Sequence, residues 1–194
     1  MKKIILSALV VMVFGFANAQ GTGGRFGIKG GINFPNSSSD FQENETLIGY
    51  QVGFFSEIKT DEKFAIQPEL FYSTHGVKNK FERDGVAYNN DIKYRYLSLP
   101  ILAKYFVVQG LSVQAGPQVS FLMKAEENGV NITDHVKTID LGLNFGIGCN
   151  FLEVCSIDLR YNLALSDAVD FHVGDDNYKI KNNMFSLVLG YKLN

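Results

Sequence analysis

Thr138-Ile139-Asp140-Leu141-Gly142-Leu143-Asn144-Phe145-Gly146-Ile147-Gly148-Cys149 decides the fold. Ile139, Leu141, Leu143, Phe145 and Ile147 share one parity, and Asp140, Gly142, Asn144, Gly146 and Gly148 share the other. Successive side chains of a strand point to opposite faces, so period two means one apolar and one polar face. The polar face is also rich in glycine. Glycine weakens a strand and a solvated face has no need of it, whereas the interior of a narrow closed barrel needs small residues.

Working outward, the same alternation recurs in seven more segments, about ten residues each. They are 25–34, 48–58, 64–74, 94–106, 111–123, 155–165 and 184–193. Phe55 is an apolar exception on the polar parity of the second. A tilted strand crosses a bilayer in about 9–11 residues. The connections alternate strictly. Segments 35–47, 75–93, 124–137 and 166–183 are long, while 59–63, 107–110 and 150–154 are short. Short periplasmic turns and long extracellular loops are the rhythm of outer-membrane barrels. No convincing helical period follows residue 25, and no second apolar run reaches helical spanning length.

The first nineteen residues stand apart. Lys2 and Lys3 precede the apolar run Ile4–Phe16, and Ala17-Asn18-Ala19 supplies a small-x-small cleavage pattern. We read residues 1–19 as a signal peptide, too short in its apolar part for a spanning helix. Residues 20–194 are then one barrel domain. Removing Lys2 and Lys3 from 18 basic and 20 acidic residues leaves 16 against 20. Nothing in that balance suggests a nucleic-acid footprint.

A soluble barrel would turn its apolar face inward, and a membrane barrel turns it to lipid. The polar parity favours the membrane form. It mixes signs, with Lys29, Lys104, Arg160 and Lys192 against Glu57, Glu69, Asp140 and Asp158. Buried charges need partners, so mixed signs suit a lumen network. We expect that network to hold Glu57, Glu69, Lys104, Asp140, Asp158, Arg160 and Lys192. Phe26, Phe64, Tyr105 and Tyr191 are expected at one membrane interface, with Phe34, Tyr50, Tyr72, Phe121 and Tyr161 at the other. Pro68, Pro100 and Pro117 fall inside strands, where proline removes a ladder donor, and predict local bulges.

Several phrases then resemble a family. Gln67-Pro68-Glu69-Leu70, Tyr96-Leu97-Ser98-Leu99-Pro100-Ile101-Leu102-Ala103-Lys104-Tyr105 and Ala115-Gly116-Pro117-Gln118 are similar to the outer-membrane β-barrel domain ("porin family" or PorT-like) proteins of Bacteroidota. Asp158-Leu159-Arg160-Tyr161-Asn162-Leu163 and Leu189-Gly190-Tyr191-Lys192-Leu193 resemble it too. The resemblance implies a Gram-negative outer-membrane barrel and carries no general catalytic motif.

Cys149 and Cys155 flank a short turn on the expected periplasmic side. A disulfide there and two free thiols remain alternatives. His75, His135 and His172 each belong to a different long connection, and Ser73 and Glu69 are near His75 in sequence. An outer-membrane hydrolase or acyltransferase at the extracellular rim is therefore one alternative function, and a soluble periplasmic ligand-binding barrel is another. Asp167, Asp170, Asp175 and Asp176 lack the order of a calcium loop and read as a solvated loop.

The sequence thus predicts an all-β, eight-stranded antiparallel up-and-down transmembrane barrel. Its lumen is filled by polar side chains rather than open. Its role is structural or interactive in the cell envelope, with no enzymatic activity, no cofactor and no metal. Its partners are outer-membrane lipid and an extracellular ligand or protein met by loops 35–47, 75–93, 124–137 and 166–183, and it is expected to be a monomer.

Overall fold

The computed structural model describes residues 24–36, 44–83, 86–133, 136–166, 169–173, 176–180 and 183–193, without the side chains of 44–46, 77–83, 86–90, 169–173 and 176–180. The expected signal peptide therefore lies outside the described residues, as does His135.

Twelve strands follow in order: β1 Arg25–Asn36, β2 Asn44–Leu47, β3 Gly49–Lys59, β4 Phe64–Arg83, β5 Val86–Val108, β6 Leu111–Glu127, β7 Val130–Asn131, β8 Ile139–Asn150, β9 Cys155–Ala164, β10 Val169–Val173, β11 Asp176–Ile180 and β12 Asn183–Lys192. Eight of them form a closed antiparallel ring, in the order β1, β3, β4, β5, β6, β8, β9, β12 and back to β1. The closing seam runs from Gly27 opposite Lys192 to Asn36 opposite Asn183. Closure removes the sheet edge, and only helices and closed barrels satisfy every backbone group in lipid.

Burial settles which face is inside. Ile32, Val52, Leu141, Phe145, Leu159 and Leu189 are exposed, while Asn33, Gln67, Asn144, Ser156 and Asp158 are buried. The wall is thus apolar outside and polar inside, the reverse of a water-soluble barrel. Aromatic side chains pair across neighbouring strands on the outer wall. Phe64 and Tyr105 have ring centroids 4.9 Å apart, Tyr50 and Tyr72 6.4 Å, and Tyr161 and Phe185 4.6 Å.

Two expectations need correction. The first concerns the segments read as long loops, which carry strand structure of their own. β4 and β5 span 20 and 23 residues. Apart from one gap after Pro68, they pair from Phe64 opposite Tyr105 up to Arg83 opposite Val86, so much of 75–93 is a β-hairpin beyond the spanning part. β2 adds to that hairpin, β6 continues to Glu127 and folds back through β7, and β10 pairs with β11.

The second concerns the prolines. The register does not shift at Pro68, Pro100 or Pro117. Instead the β4–β5 pairing lapses between Pro68 and Phe71, where Pro100 comes opposite Glu69, and resumes in the same register. The β5–β6 pairing lapses likewise between Pro100 and Ala103, where Pro117 comes opposite Ile101. A missing N–H opens the ladder locally without demanding an extra residue. The irregularities that do shift the register lie between Arg95 and Tyr96 and between Phe106 and Val108.

Candidate functional site

Inward parity and barrel tilt bring side chains from six strands into one buried network. Lys29 on β1 donates to Glu69 on β4 (2.9 Å) and to Asp158 on β9 (2.6 Å). Arg160 on β9 donates from Nη1 and Nη2 to the two oxygens of Glu69, and from Nη2 to Asp158 (2.8 Å). Gln67 donates to Glu69 and accepts from Lys104. Toward the short turns, Glu57 on β3 receives Lys104 from β5 (3.0 Å) and Lys192 from β12 (3.3 Å). Carboxylates that accept several charge-assisted hydrogen bonds are held in one geometry, which makes this network a cross-brace as well as a plug.

Six of the seven residues expected in a lumen network lie in it. Asp140 does not. It sits near the opposite end of the lumen and accepts from Ser166 Oγ. Lys29, one of the mixed-sign charges of the polar parity, and Gln67 also belong to the network, although neither is among those seven. Small residues make the room. A Cβ on Gly148 would come 2.5 Å from Asp158 Oδ1 and 3.0 Å from Ser112 Oγ.

Above the charges lies a neutral ladder. Ser98 Oγ is 3.3 Å from Ser73 Oγ and 2.9 Å from Ser120 Oγ, and Gln118 donates to Ser120. Asn144 donates to Gln118, and Asn162 to Asn144. A void of about 20 Å³ remains among these groups, bordered also by His75, Tyr96 and Asp140. That is room for about one water molecule. Higher still, Tyr94, Tyr96, Leu122 and Ala125 form a buried apolar cluster covered by Ile92, Ile132 and Val136. The lumen is thus filled at three successive levels.

His75 points inward rather than into an open rim. Its ring stacks on Tyr96 at 5.0 Å, and neither nitrogen has a hydrogen-bond partner. The side chain of His172 and those of the aspartates in 166–183 lie outside the described residues. Cys149 and Cys155 are both free thiols. Cys149 is opposite Ile157 and Cys155 opposite Tyr191, so the two are not cross-strand partners. Among the described residues no cluster of three His, Cys, Asp or Glu forms that would hold a metal.

Outside the membrane, the β6–β7 turn is latched onto β5. Asp91 N donates to Asn128 Oδ1 and Asn128 N to Asp91 O, both at 2.9 Å. Nearby, the hydrogen bond from Lys124 holds the Glu126 carboxyl below its usual range, with Arg95 adding to the effect.

Comparison with known proteins agrees with this architecture. No curated protein matches the chain. Ail, the attachment invasion locus protein of Yersinia pestis, solved in complex with the heparin analogue sucrose octasulfate, is similar at 15% identity and a TM-score of 0.52. The likeness covers 88% of this chain and 99% of that one. Neisserial surface protein A is similar at 14% identity and a TM-score of 0.56, over 87% and 97% of the two chains. At such identities the likeness is one of fold. A family model described as the outer membrane protein beta-barrel domain matches residues 17–170, and this chain belongs to that family as a small eight-stranded barrel of the outer membrane.

Proposed function

We propose that the protein is a non-conducting, non-enzymatic surface protein of the envelope. In this reading its barrel is an anchor and a stiff base for the extracellular connections. The observation that carries it is a lumen filled at three levels beneath a β4–β5 hairpin that runs well past the membrane. Residues 1–19 serve as the export signal, and the barrel acts as a monomer.

Charge narrows the partner. The connections 35–47, 75–93, 124–137 and 166–183 hold eight basic and thirteen acidic residues. Such a surface attracts a ligand or protein of net positive charge and repels a polyanion. The sucrose octasulfate of the Ail complex is therefore a poor guide to the ligand here. A rim hydrolase finds little support, because the His75 nitrogens engage no hydroxyl or carboxylate and the adjoining void admits about one water.

Reconstitution into planar bilayers tests the reading. The expected record is flat at moderate voltage, and a stable unitary conductance overturns it. Binding of the same protein to immobilised polylysine but not to immobilised heparin tests the charge of the partner. The opposite preference overturns that part alone.

A further inference from the structure

At the short-turn end the barrel opens into a cavity of about 770 Å³ that none of the roles above uses. Its wall holds Arg25, Lys59, Lys63 and Lys192 against Glu62 and Glu153, a surplus of two positive charges. Among the described residues, Arg25, Lys59 and Lys63 form no ion pair. Lys192 is buried at the cavity floor and has one anionic contact, a long 3.3 Å bond to Glu57. Glu57 is already shared with Lys104 at 3.0 Å. Two ammonium groups on one carboxylate leave donors unfilled, and a buried charge without a full counter-charge is costly. The floor therefore faces the opening with an unmet demand for an anion.

Apart from Gln109 and Asn150, the rest of the wall is apolar. Val107 and Val108 at the end of β5, and Phe151 and Leu152 in the β8–β9 turn, are each more than half exposed. Lys59 Nζ lies over the Phe106 ring at 5.4 Å, which holds one of the cations against this apolar side. A site of this kind suits a molecule with a doubly charged head and an apolar remainder. A phosphate monoester carries about 1.5–2 negative charges near neutral pH, and so matches the surplus of two.

We propose that the periplasmic mouth of this barrel binds a phosphate monoester amphiphile. Its phosphate sits among Lys59, Lys63, Arg25 and Lys192, and its apolar part lies against Phe106, Val108, Phe151 and Leu152. The phosphate chemistry is common to a lipid of the periplasmic leaflet and to a soluble phosphate ester.

Titration of the folded protein in a phosphate-free micelle separates these. The probes are dihexanoyl phosphatidic acid, dihexanoyl phosphatidylcholine and glycerol 3-phosphate, followed by calorimetry and phosphorus NMR. Saturable one-to-one binding of the phosphatidic acid is expected, with much weaker binding of the phosphatidylcholine. The double variant Lys59→Gln/Lys63→Gln, at two exposed positions, should weaken binding at least about tenfold, because it removes two charge-assisted contacts. Lys93→Gln, at the opposite end, should leave binding unchanged, and a heat-modifiability gel shift verifies folding of both. Failure to saturate, equal binding of the phosphatidylcholine, or an unaltered double variant overturns the site. Equal affinity for glycerol 3-phosphate keeps the phosphate site but overturns the amphiphile. Preference for the acylated probe assigns the ligand to the leaflet.

Discussion

Arg160 on β9 clasps Glu69 on β4 across the full width of the barrel. The two strands lie four places apart whichever way the eight-stranded ring is followed. One guanidinium therefore ties together opposite walls that share no backbone hydrogen bond. Both side chains are buried, and Lys29 also leans on Glu69. Removing one member of a buried pair strands the other charge, at a cost of about 3–5 kcal/mol. Glu69→Ala should therefore lower stability by about that amount in urea titrations of vesicle-embedded protein. The double variant Glu69→Met/Arg160→Met should recover most of the loss, since well-packed apolar replacements of a buried pair are often neutral. An unchanged midpoint for Glu69→Ala would sink the cross-brace reading.

Phe55 is apolar on a polar parity, and Gly27 explains how it fits. The two are opposite each other on β3 and β1, and a Cβ at Gly27 would come 2.5 Å from the Phe55 ring and 2.2 Å from Tyr191 O. The Lys29 ammonium lies 4.8 Å from the same ring. Gly27→Ala should cost about 1–3 kcal/mol, the usual range for overpacking. Gly27→Ala/Phe55→Leu should recover only part of this, because the Tyr191 carbonyl does not move away. Folded fraction on an unheated gel reads both, and full recovery in the double variant would show that the ring alone sets the constraint.

The turn between β6 and β7 makes a separate prediction. Asn128 and Gly129 have φ of 50° and 84°, the paired positive values of a two-residue hairpin turn. Glu127 is opposite Val130, and Asn128 also holds Asp91. Gly129→Ala forces a Cβ into left-handed backbone at about 1–2 kcal/mol. Hydrogen exchange at the Asp91 and Asn128 amides should quicken several-fold while β8 and β9 stay protected. Equal exchange in the variant would mean the latch does not depend on the turn.

How much of this was legible in advance follows from what alternation can encode. Segments such as Ile139–Cys149 reveal their inner and outer faces because lipid and lumen impose opposite demands on neighbouring residues. The mixed signs on the inner parity place Glu57, Lys104, Asp158 and Arg160 toward one another, but not their partners. Nothing local says that Asp140 meets Ser166, or that Lys29 rather than Asp140 joins Glu69, because ring order and tilt decide those meetings. The extension of β4 and β5 was hidden for another reason. Segments 77–83 and 86–92 are dense in polar residues, with Lys78, Lys80, Glu82, Arg83, Asn89, Asn90 and Asp91, a composition that reads as a solvated connection rather than a strand. The Asn128-Gly129 pair is a readable hairpin signal inside the long connection 124–137.

His75 tests whether the upper lumen is a filled space or a reactive one. Its ring lies nearly parallel to that of Tyr96, with an interplanar angle of 5°, and its two buried nitrogens are without partners. A buried polar atom left unpaired costs about 1–3 kcal/mol, whereas an apolar ring of similar shape carries no such penalty. His75→Phe should therefore keep the stack and leave stability equal or raise it by about 1 kcal/mol, measured by urea titration in vesicles. Cells carrying the variant should show the same envelope lipid and peptide profile as the parent. A hydrolytic site built on this imidazole would instead lose its base, and processing would stop while folding stayed intact. Destabilisation beyond about 1 kcal/mol would have a different meaning. It would show that the void beside Ser73, Ser98 and Asp140 holds a water bonded to the imidazole, and that the upper lumen is joined by hydrogen bonds rather than by packing alone.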